Sequence, residues 1–220
     1  MVIDAFERGE VGVALQPLVE LGTGRVVGYE ALCRPPARFG GPEAFFGRCL
    51  KEGCGEEADR RMWRLAFLAF MRSRRRGLLF LNATLPGFLA GPGVLARGAP
   101  PVPAVVELSE RGSCGPEEIV RAALLWRQEG FRVAFDDVWP GCPGLSAATR
   151  VMPEYLKAGK RALREGGGAF LRELVCTAAA WNGVVVAEGI ESRRDIEVVR
   201  DAGVQVGQGW YFGRPVPVVC

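Results

Sequence analysis

Short apolar runs alternate along the chain with longer amphipathic stretches. Strand-like runs such as 78–84 (LLFLNAT) and 184–190 (VVVAEGI) have no consistently polar side, so both of their faces must be covered. Stretches such as 57–76 carry apolar residues at helical spacing opposite an arginine-rich face. Buried strands that alternate with helices form parallel sheets, so we predict an α/β fold. Eight strands within 220 residues favour a single closed (β/α)8 TIM-like barrel over an open sheet.

The predicted elements follow one another without a linker or an internal repeat, and residues 1–220 are therefore expected to form one barrel domain. Gly22-Thr23-Gly24 forms a hairpin-like turn between the first two strands, so the barrel should be irregular near its start. A connection rich in Pro and Gly is expected over 86–103. The predicted helices are 43–53, 57–76, 116–130, 144–151, 168–182 and 192–202. The other predicted strands are 11–21, 26–34, 105–110, 131–138, 155–159 and 204–212.

Histidine is absent from the chain. Its absence excludes Ser-His-Asp and Cys-His nucleophilic sites, zinc sites with histidine ligands, and acid–base chemistry by imidazole. Any catalysis must use carboxylates, amides, lysine, tyrosine or cysteine. The net charge of +3 is small, so no DNA or RNA partner is expected.

The seven cysteines are scattered, and the N-terminus does not resemble a signal peptide. No apolar run approaches the ~20 residues that a membrane helix needs. We therefore expect a cytoplasmic chain with free thiols and no membrane segment.

Polar side chains stand at the end of almost every predicted strand. In a barrel, the carboxyl ends of the parallel strands surround one mouth, so side chains that are distant in sequence should converge there. The residues concerned are Glu30, Asn82, Glu107, Asp136, Asp137, Lys157, Glu188 and Gln208.

Several carboxylates in one cleft repel one another unless a cation lies between them. Oxygen donors favour a hard ion such as Mg²⁺ or Mn²⁺, with Ca²⁺ as a further option, and such a site suits phosphodiester hydrolysis. Lys157 would stabilise developing charge or position the attacking water. Taken singly, an acidic strand end is usually a loop cap, and Lys157 could extend to solvent from the barrel rim. The repetition at nearly every strand end favours the functional interpretation.

The segment QPLVELGTGRVVGYEALCRP (16–35) resembles the opening of EAL domains, the cyclic di-GMP phosphodiesterases, and includes Glu30-Ala31-Leu32. The resemblance extends in order over essentially the whole chain. Its further motifs are LNAT (81–84), ELSE (107–110), FDD (135–137), YLK (155–157), VAEGIES (186–192) and QGWYFGRP (208–215).

This resemblance implies hydrolysis of cyclic di-GMP to linear pGpG, with Mg²⁺ or Mn²⁺ as cofactor and Ca²⁺ as an inhibitory ion. It also implies an antiparallel first strand, homodimers and attached sensor or cyclase modules. The positions that match metal ligands are Glu30, Asn82, Glu107 and Asp136, with Asp137 for a second metal. Those that match water-activating residues are Lys157 and Glu188, and the catalytic set is Glu30, Lys157 and Glu188. Those that match guanine- or phosphate-binding residues are Gln16, Arg34 and Gln208. Glu110 matches a glutamate that anchors the loop after the Asp pair.

The chain departs from the family pattern at two places. After the Asp pair the family usually reads Phe-Gly-Thr-Gly-Tyr-Ser-Ser, whereas residues 138–144 read VWPGCPG, and this loop is implicated in dimerisation. Gly159 stands where the family has an aspartate. These departures leave two functions open: an active phosphodiesterase, or a weak or inactive EAL domain that acts as a cyclic di-GMP receptor or a protein-interaction module. A barrel that hydrolyses other phosphodiesters is a third alternative. Restoring an acid by Gly159→Asp is expected either to raise activity or to show that this departure is harmless.

Overall fold

The computed structural model describes residues 2–95, 102–109 and 114–218 and contains one mixed sheet covered by helices. The strands are β1 (Gly12–Glu20), β2 (Val26–Arg34), β3 (Leu78–Ala83), β4 (Ala104–Ser109), β5 (Arg132–Asp136), β6 (Tyr155–Ala158), β7 (Val184–Ala187), β8 (Val206–Gln208) and β9 (Val216–Val218). The helices are α1 (Asp4–Glu7), α2 (Pro42–Lys51), α3 (Gly55–Arg72), α4 (Leu85–Ala90), α5 (Pro116–Gln128), α6 (Pro143–Val151), α7 (Gly167–Ala179) and α8 (Arg193–Asp201). Short 3₁₀ turns cover Ala37–Phe39 and Pro92–Leu95, and a π-helical turn covers Ala162–Gly166.

Eight of these strands form a closed ring. The order is β2-β3-β4-β5-β6-β7-β8-β1, and β1 closes the ring by pairing with β2. Strands β2 to β8 are mutually parallel, whereas β1 is antiparallel to β2 and to β8, and β9 pairs with the outer part of β1. The α/β barrel with an antiparallel first strand is therefore confirmed.

The antiparallel start of the barrel depends on the turn between β1 and β2. The Glu20 amide donates to the Arg25 carbonyl at 2.9 Å, and Gly24 has a positive φ of 74°. A residue with a Cβ rarely adopts this conformation, so the glycine allows the chain to reverse tightly. The reversal places Gln16 opposite Glu30 in the β1–β2 register.

The interior of the barrel contains a closely packed apolar layer with one residue from each of seven strands. Phe80 and Tyr155 pack edge to face in it, with ring centroids 5.1 Å apart. Gly28 supplies the position on β2, where a Cβ would approach the Phe80 ring at 3.2 Å. The layer consists of Leu18, Phe80, Val105, Ala134, Tyr155, Val186 and Val206. It is a floor that closes the barrel below its carboxyl ends.

The larger core lies between the strands and the outer helices. Trp63 of α3 and Trp126 of α5 meet edge to face at 5.2 Å, and both are almost fully buried. The Trp126 indole donates to the Phe88 carbonyl at 2.9 Å, which joins α5 to α4. Burying two tryptophans in this way contributes several kcal/mol and fixes α3, α4 and α5 on β3 and β4.

The connection predicted over 86–103 is partly wrong, because it begins with helix α4. Thr84 caps this helix by accepting from the Gly87 amide at 3.3 Å, and Pro86 lies in its first turn. The strand predicted over 204–212 is also too long: β8 ends at Gln208, and the chain then turns before β9. Neither α1 nor β9 was predicted; each is four residues or fewer.

No disulfide joins the cysteines that the structure describes. Within the same ranges, no helix combines the length and the apolar character needed to span a lipid bilayer.

Candidate active site

A polar layer lies directly above the apolar floor of the barrel. Each of its members stands two residues from a floor residue on the same strand: Asn82 follows Phe80, and Lys157 follows Tyr155. Since side chains two apart on a strand share a face, all members of the layer face the barrel axis. The members are Gln16, Glu30, Asn82, Glu107, Asp136, Lys157, Glu188 and Gln208.

Lys157 occupies the centre of this polar layer, and its side chain is fully buried. Its ammonium nitrogen contacts carboxylates from four different places on the ring. The distances from Nζ are 2.8 Å to Glu188, 2.9 Å to Glu107, 3.3 Å to Glu30 and 3.4 Å to Asp136. One cation thus holds together the residues that the sequence predicted to converge.

The neighbouring charges of the cluster and burial shift the pKa values of Lys157 and Glu30 in opposite directions. Burial alone would lower the pKa of Lys157, but the four surrounding carboxylates raise it well above its ordinary value. Burial also acts to raise the pKa of Glu30. Lys157 and hydrogen bonds from Asn82 and Gln208 outweigh that effect, so the pKa of Glu30 is lowered overall. Lys157 and Glu30 therefore form an ion pair at neutral pH.

The other three carboxyls have raised pKa values. Burial raises the pKa of Glu188 to about 8, although Lys157 acts in the opposite direction. Burial likewise raises the pKa of Glu107 well above its usual range and raises that of Asp136. One ammonium group cannot neutralise four carboxylates, so the cluster retains protons or takes up further positive charge.

Three amide side chains surround Glu30. Asn82 donates through Nδ2 to Glu30 Oε1 at 2.7 Å, and Gln208 donates through Nε2 to Glu30 Oε2 at 2.7 Å. Gln208 Nε2 also lies 3.4 Å from Gln16 Oε1, while Gln16 Nε2 donates to the Gly213 carbonyl at 3.2 Å. The Asn82 oxygen takes no part in these bonds.

The donor set fits a hard divalent cation. Among the residues that the structure describes, neither carboxylate oxygen of Glu107 has a hydrogen-bond donor in good geometry, and neither does the buried Gln208 Oε1. Orphaned buried oxygens of this kind are ligands that Mg²⁺ and Mn²⁺ prefer. In the described part of the chain, however, no three or more Asp, Glu, His or Cys side chains are arranged around a metal-sized point. The position between the carboxylates is taken by the Lys157 ammonium group.

Asp137 differs from the other candidates because it is exposed at the rim. Its φ is +53°, and its amide donates to Asp136 Oδ1 at 2.9 Å. Oδ1 of Asp137 lies where the Cβ of any side chain at position 159 would be placed, so Gly159 allows this conformation. The missing acid at 159 and the position of Asp137 are thus directly related.

Two predicted residues are not part of the cluster that the structure describes. Arg34, at the end of β2, donates to the Cys33 carbonyl at 3.0 Å, and no hydrogen bond joins it to the polar layer among the described residues. Glu110 lies outside the described residues, so its predicted role as a loop anchor stays a prediction.

The sequence did not point to the residues that support Asn82 from behind. On α3, Asp59 accepts from the Thr84 amide at 2.8 Å and from its hydroxyl, and Trp63 donates to the Asn82 carbonyl at 2.8 Å. Asp59 is almost fully buried, and burial raises its pKa to about 7. A signal was present, since Asp59 and Trp63 are four residues apart on the buried face of a helix.

A groove of about 580 Å³ opens over the cluster. Its lining includes Asn82, Asp136 and Glu188 of the polar layer and Asp137 at the rim. Phe46 of α2 lines it on the side of β2, and Trp139 lines it on the side of β5. A groove of this size, with apolar walls and a few convergent polar groups, is typical of a small-molecule site.

Comparison with known proteins gives a consistent result. The family model described as "EAL domain" matches residues 1–215. The probable cyclic di-GMP phosphodiesterase PdeB of Escherichia coli (strain K12) is 27% identical over 230 residues, which cover 97% of this chain and 44% of the relative. The oxygen sensor protein DosP of the same strain is also 27% identical, over 97% of this chain and 29% of its own length. The chain therefore spans less than half the length of these curated relatives.

Solved structures share the fold. BlrP1 of Klebsiella pneumoniae, in a complex with calcium and cyclic di-GMP, superposes with a TM-score of 0.81 at 25% identity, over 94% of this chain and 56% of that one. An EAL domain protein from Listeria monocytogenes EGD-e superposes with a TM-score of 0.80 at 21% identity, over 97% and 92% of the two chains. The second likeness shows the fold alone.

Proposed function

The chain belongs to the EAL domain family, and we propose that it hydrolyses cyclic di-GMP to linear pGpG at the Lys157 cluster with bound Mg²⁺ or Mn²⁺. One observation carries the proposal: carboxylates from four places on the barrel ring lie within 3.4 Å of a single buried point. A phosphodiesterase needs such a concentration of negative oxygen ligands to hold divalent metal against a phosphate. If Lys157 had only a structural role, one carboxylate beside it would be enough to form an ion pair, whereas four are present.

The residues that would hold the metal are Glu30, Asn82, Glu107 and Asp136, with Asp137 beside a second ion. A bound divalent cation would neutralise charge on the phosphoryl oxygens and lower the pKa of a water molecule. Glu30 is the best prepared ligand, because hydrogen bonds from Asn82 and Gln208 favour its ionised form. Ca²⁺ prefers more ligands at longer distances, so we expect it to support binding but to inhibit turnover.

Glu188 would take the proton of the attacking water, and Lys157 would stabilise the negative charge on the diester. Burial raises the pKa of Glu188 to about 8, so its ionised form is basic enough to take a proton from the attacking water, and a cation bound beside it would favour that form. Lys157 Nζ lies 2.8 Å from Glu188, so it can orient that carboxylate and stabilise negative charge on the diester. Once the ring of the substrate opens, the proton moves to the leaving 3′-oxygen.

The substrate would lie in the groove above the cluster. Gln208 Oε1 has no hydrogen-bond partner among the described residues and would accept a hydrogen bond from a guanine N–H, beside Gln16. Arg34 donates to the Cys33 carbonyl through Nη1 alone, so its other guanidinium N–H groups would contact a phosphate. A volume of about 580 Å³ suits a molecule of dinucleotide size.

A receptor without turnover is the second candidate, and two observations favour it. Lys157 occupies the point where an ion is needed, and Gly159 leaves Asp137 without an acidic neighbour at that position. A domain that keeps the groove but fails to recruit metal would bind cyclic di-GMP and leave it intact.

One experiment separates the two functions. The purified protein is incubated with cyclic di-GMP and Mn²⁺ or Mg²⁺, and pGpG is followed by chromatography, with EDTA and the Glu30→Gln variant as controls. Metal-dependent pGpG from the parent alone supports the enzyme. Binding without product supports the receptor, and turnover of simple diesters without action on cyclic di-GMP supports a different phosphodiesterase. If neither binding nor product is found, a protein-interaction role is left.

We further propose that the chain acts in the cytoplasm with partners beyond its nucleotide. The relatives are more than twice as long as the matched part, which supports attached sensor or cyclase modules. A homodimer is also proposed, and light scattering of the purified chain tests it by giving one or two times 23.8 kDa.

A further inference from the structure

Trp139 stands on the opposite side of the groove from the other aromatic groups that line it. Phe46 belongs to α2, which follows β2, whereas Trp139 follows β5 and lines the groove together with Gly159 and Lys160, which follow β6. In the ring order, β5 and β6 are three and four positions from β2, so they lie across an eight-stranded barrel from it. The Lys157 cluster lies between these two walls.

The Trp139 ring is held in place from the neighbouring loop. The Arg161 guanidinium carbon lies 5.1 Å from the ring centroid, and Arg161 is itself paired with Glu165 at 2.9 Å. The Trp139 carbonyl accepts from the Cys142 amide at 3.1 Å, and the side chain packs against the hydrophobic core. A side chain fixed in this way loses little conformational entropy when a ligand stacks on it.

The segment after β6, which carries Arg161, departs from regular helical geometry. Arg161 immediately precedes the π-helical turn Ala162–Gly166, and Lys160 beside it lines the groove. Lys160 Nζ forms an ion pair with Glu191 at 2.6 Å. Single π-helical turns occur frequently at functional sites, where they displace side chains from the regular helical position.

We propose that Trp139 determines selectivity in this groove by stacking on one of the two planar bases of the substrate. The inference rests on the proposed function, because it takes the scissile diester to lie over the cluster. A dinucleotide centred there extends a base toward each wall. Trp139 is the indole on the β5 side, whereas the indole N–H of Trp63 on the β2 side is already bonded to the Asn82 carbonyl.

The test compares cyclic di-GMP with bis(p-nitrophenyl) phosphate, a diester that has no nucleobases, under the same Mn²⁺ concentration. The measured quantity is the ratio of kcat/KM for the two substrates in the parent, Trp139→Leu and Trp139→Phe. Loss of base stacking is expected to lower the ratio about tenfold in Trp139→Leu and less in Trp139→Phe. Trp181→Leu is the matched control, because Trp181 donates to the Pro153 carbonyl at the other end of the barrel. The ratio of kcat/KM values in Trp181→Leu should equal that of the parent.

A parent-like ratio in Trp139→Leu overturns the inference. If that variant does not fold, quenching of tryptophan emission by cyclic di-GMP in the parent and in Trp139→Phe decides instead, and equal quenching overturns it. These results are distinct from failure of the proposed function. That failure is seen in the parent alone, as no hydrolysis of cyclic di-GMP. If the parent still binds the nucleotide, the quenching comparison decides the inference, and if it does not bind, the inference is overturned.

Discussion

The ammonium nitrogen of Lys157 lies 2.9 Å from Oε1 of Glu107, and neither side chain is exposed to solvent. Glu107 Oε2 has no hydrogen-bond donor among the described residues, so Lys157 is the group that compensates this carboxylate. The protein without metal thus carries its own cation at the centre of the carboxylate cluster. Metal binding requires this cation to move or to share the site.

Lys157→Met should destabilise the protein only when metal is absent. Removing the cation leaves buried carboxylates uncompensated, which typically costs about 3–5 kcal/mol. Added Mn²⁺ should restore most of this loss, because it supplies the missing charge. Thermal unfolding in EDTA and in Mn²⁺ measures both effects, and Lys51→Met, at an exposed lysine, is the control. Equal midpoints for parent and Lys157→Met in EDTA would falsify the role of Lys157 as counter-ion.

Glu30→Ala should abolish turnover without unfolding the chain. The substitution removes a proposed metal ligand and the acceptor for Asn82 and Gln208, but it removes no part of the apolar floor. Mn²⁺ affinity, measured by calorimetry, should fall by more than the roughly 10- to 100-fold loss seen for outer-shell partners. Hydrolysis of cyclic di-GMP at the parent rate would show that the metal site is wrongly assigned.

Gly159→Ala and Gly159→Asp should both lower Mn²⁺ affinity and turnover. A Cβ at this position would clash with Asp137 Oδ1, so in both variants the Asp137 carboxylate has to leave the position that it holds in the parent. The structure therefore changes the expectation from sequence that an acid at 159 raises activity. We expect a several-fold loss in both variants, measured by Mn²⁺ titration and initial rates. Higher activity in Gly159→Asp than in the parent would show that Asp137 moves freely.

The barrel and its irregular start could be predicted from sequence because each strand is apolar on both faces and the turn at 22–24 contains two glycines. The convergence of Glu30, Glu107 and Asp136 also follows from topology, since parallel strands end at one rim. The central place of Lys157 could not be predicted, because sequence does not show which side chain reaches the shared point. Helix α4 lies where the Pro- and Gly-rich composition of 86–103 predicts a connection, and it forms because Thr84 and Pro86 make a capped first turn.

The stability of the metal-free protein should depend on Asp59 between pH 5 and pH 8. Burial raises the pKa of Asp59 from 3.8 to about 7 despite the hydrogen bonds from Thr84. Its folded pKa exceeds the unfolded value, so its stabilising contribution is complete below pH 3.8 and is lost as pH rises through 7. The slope is at most about 1.4 kcal/mol per pH unit.

The Asp59→Asn variant isolates this contribution. Asparagine is nearly isosteric and does not titrate, so the parent should lose stability relative to Asp59→Asn as pH rises from 5 to 8. Denaturant unfolding in EDTA at four pH values gives the difference, in which the titration of the carboxylate cluster cancels. Parallel pH profiles for the two proteins would contradict the raised pKa.

Anomalous diffraction from crystals grown with Mn²⁺ and cyclic di-GMP tests the central claim most directly. We expect a manganese peak bonded to oxygens of Glu30, Asn82, Glu107 and Asp136, with Lys157 Nζ displaced from the point between them. The metal site is wrongly assigned if Nζ still lies among the four carboxylates and manganese is found elsewhere or not at all while the nucleotide fills the groove.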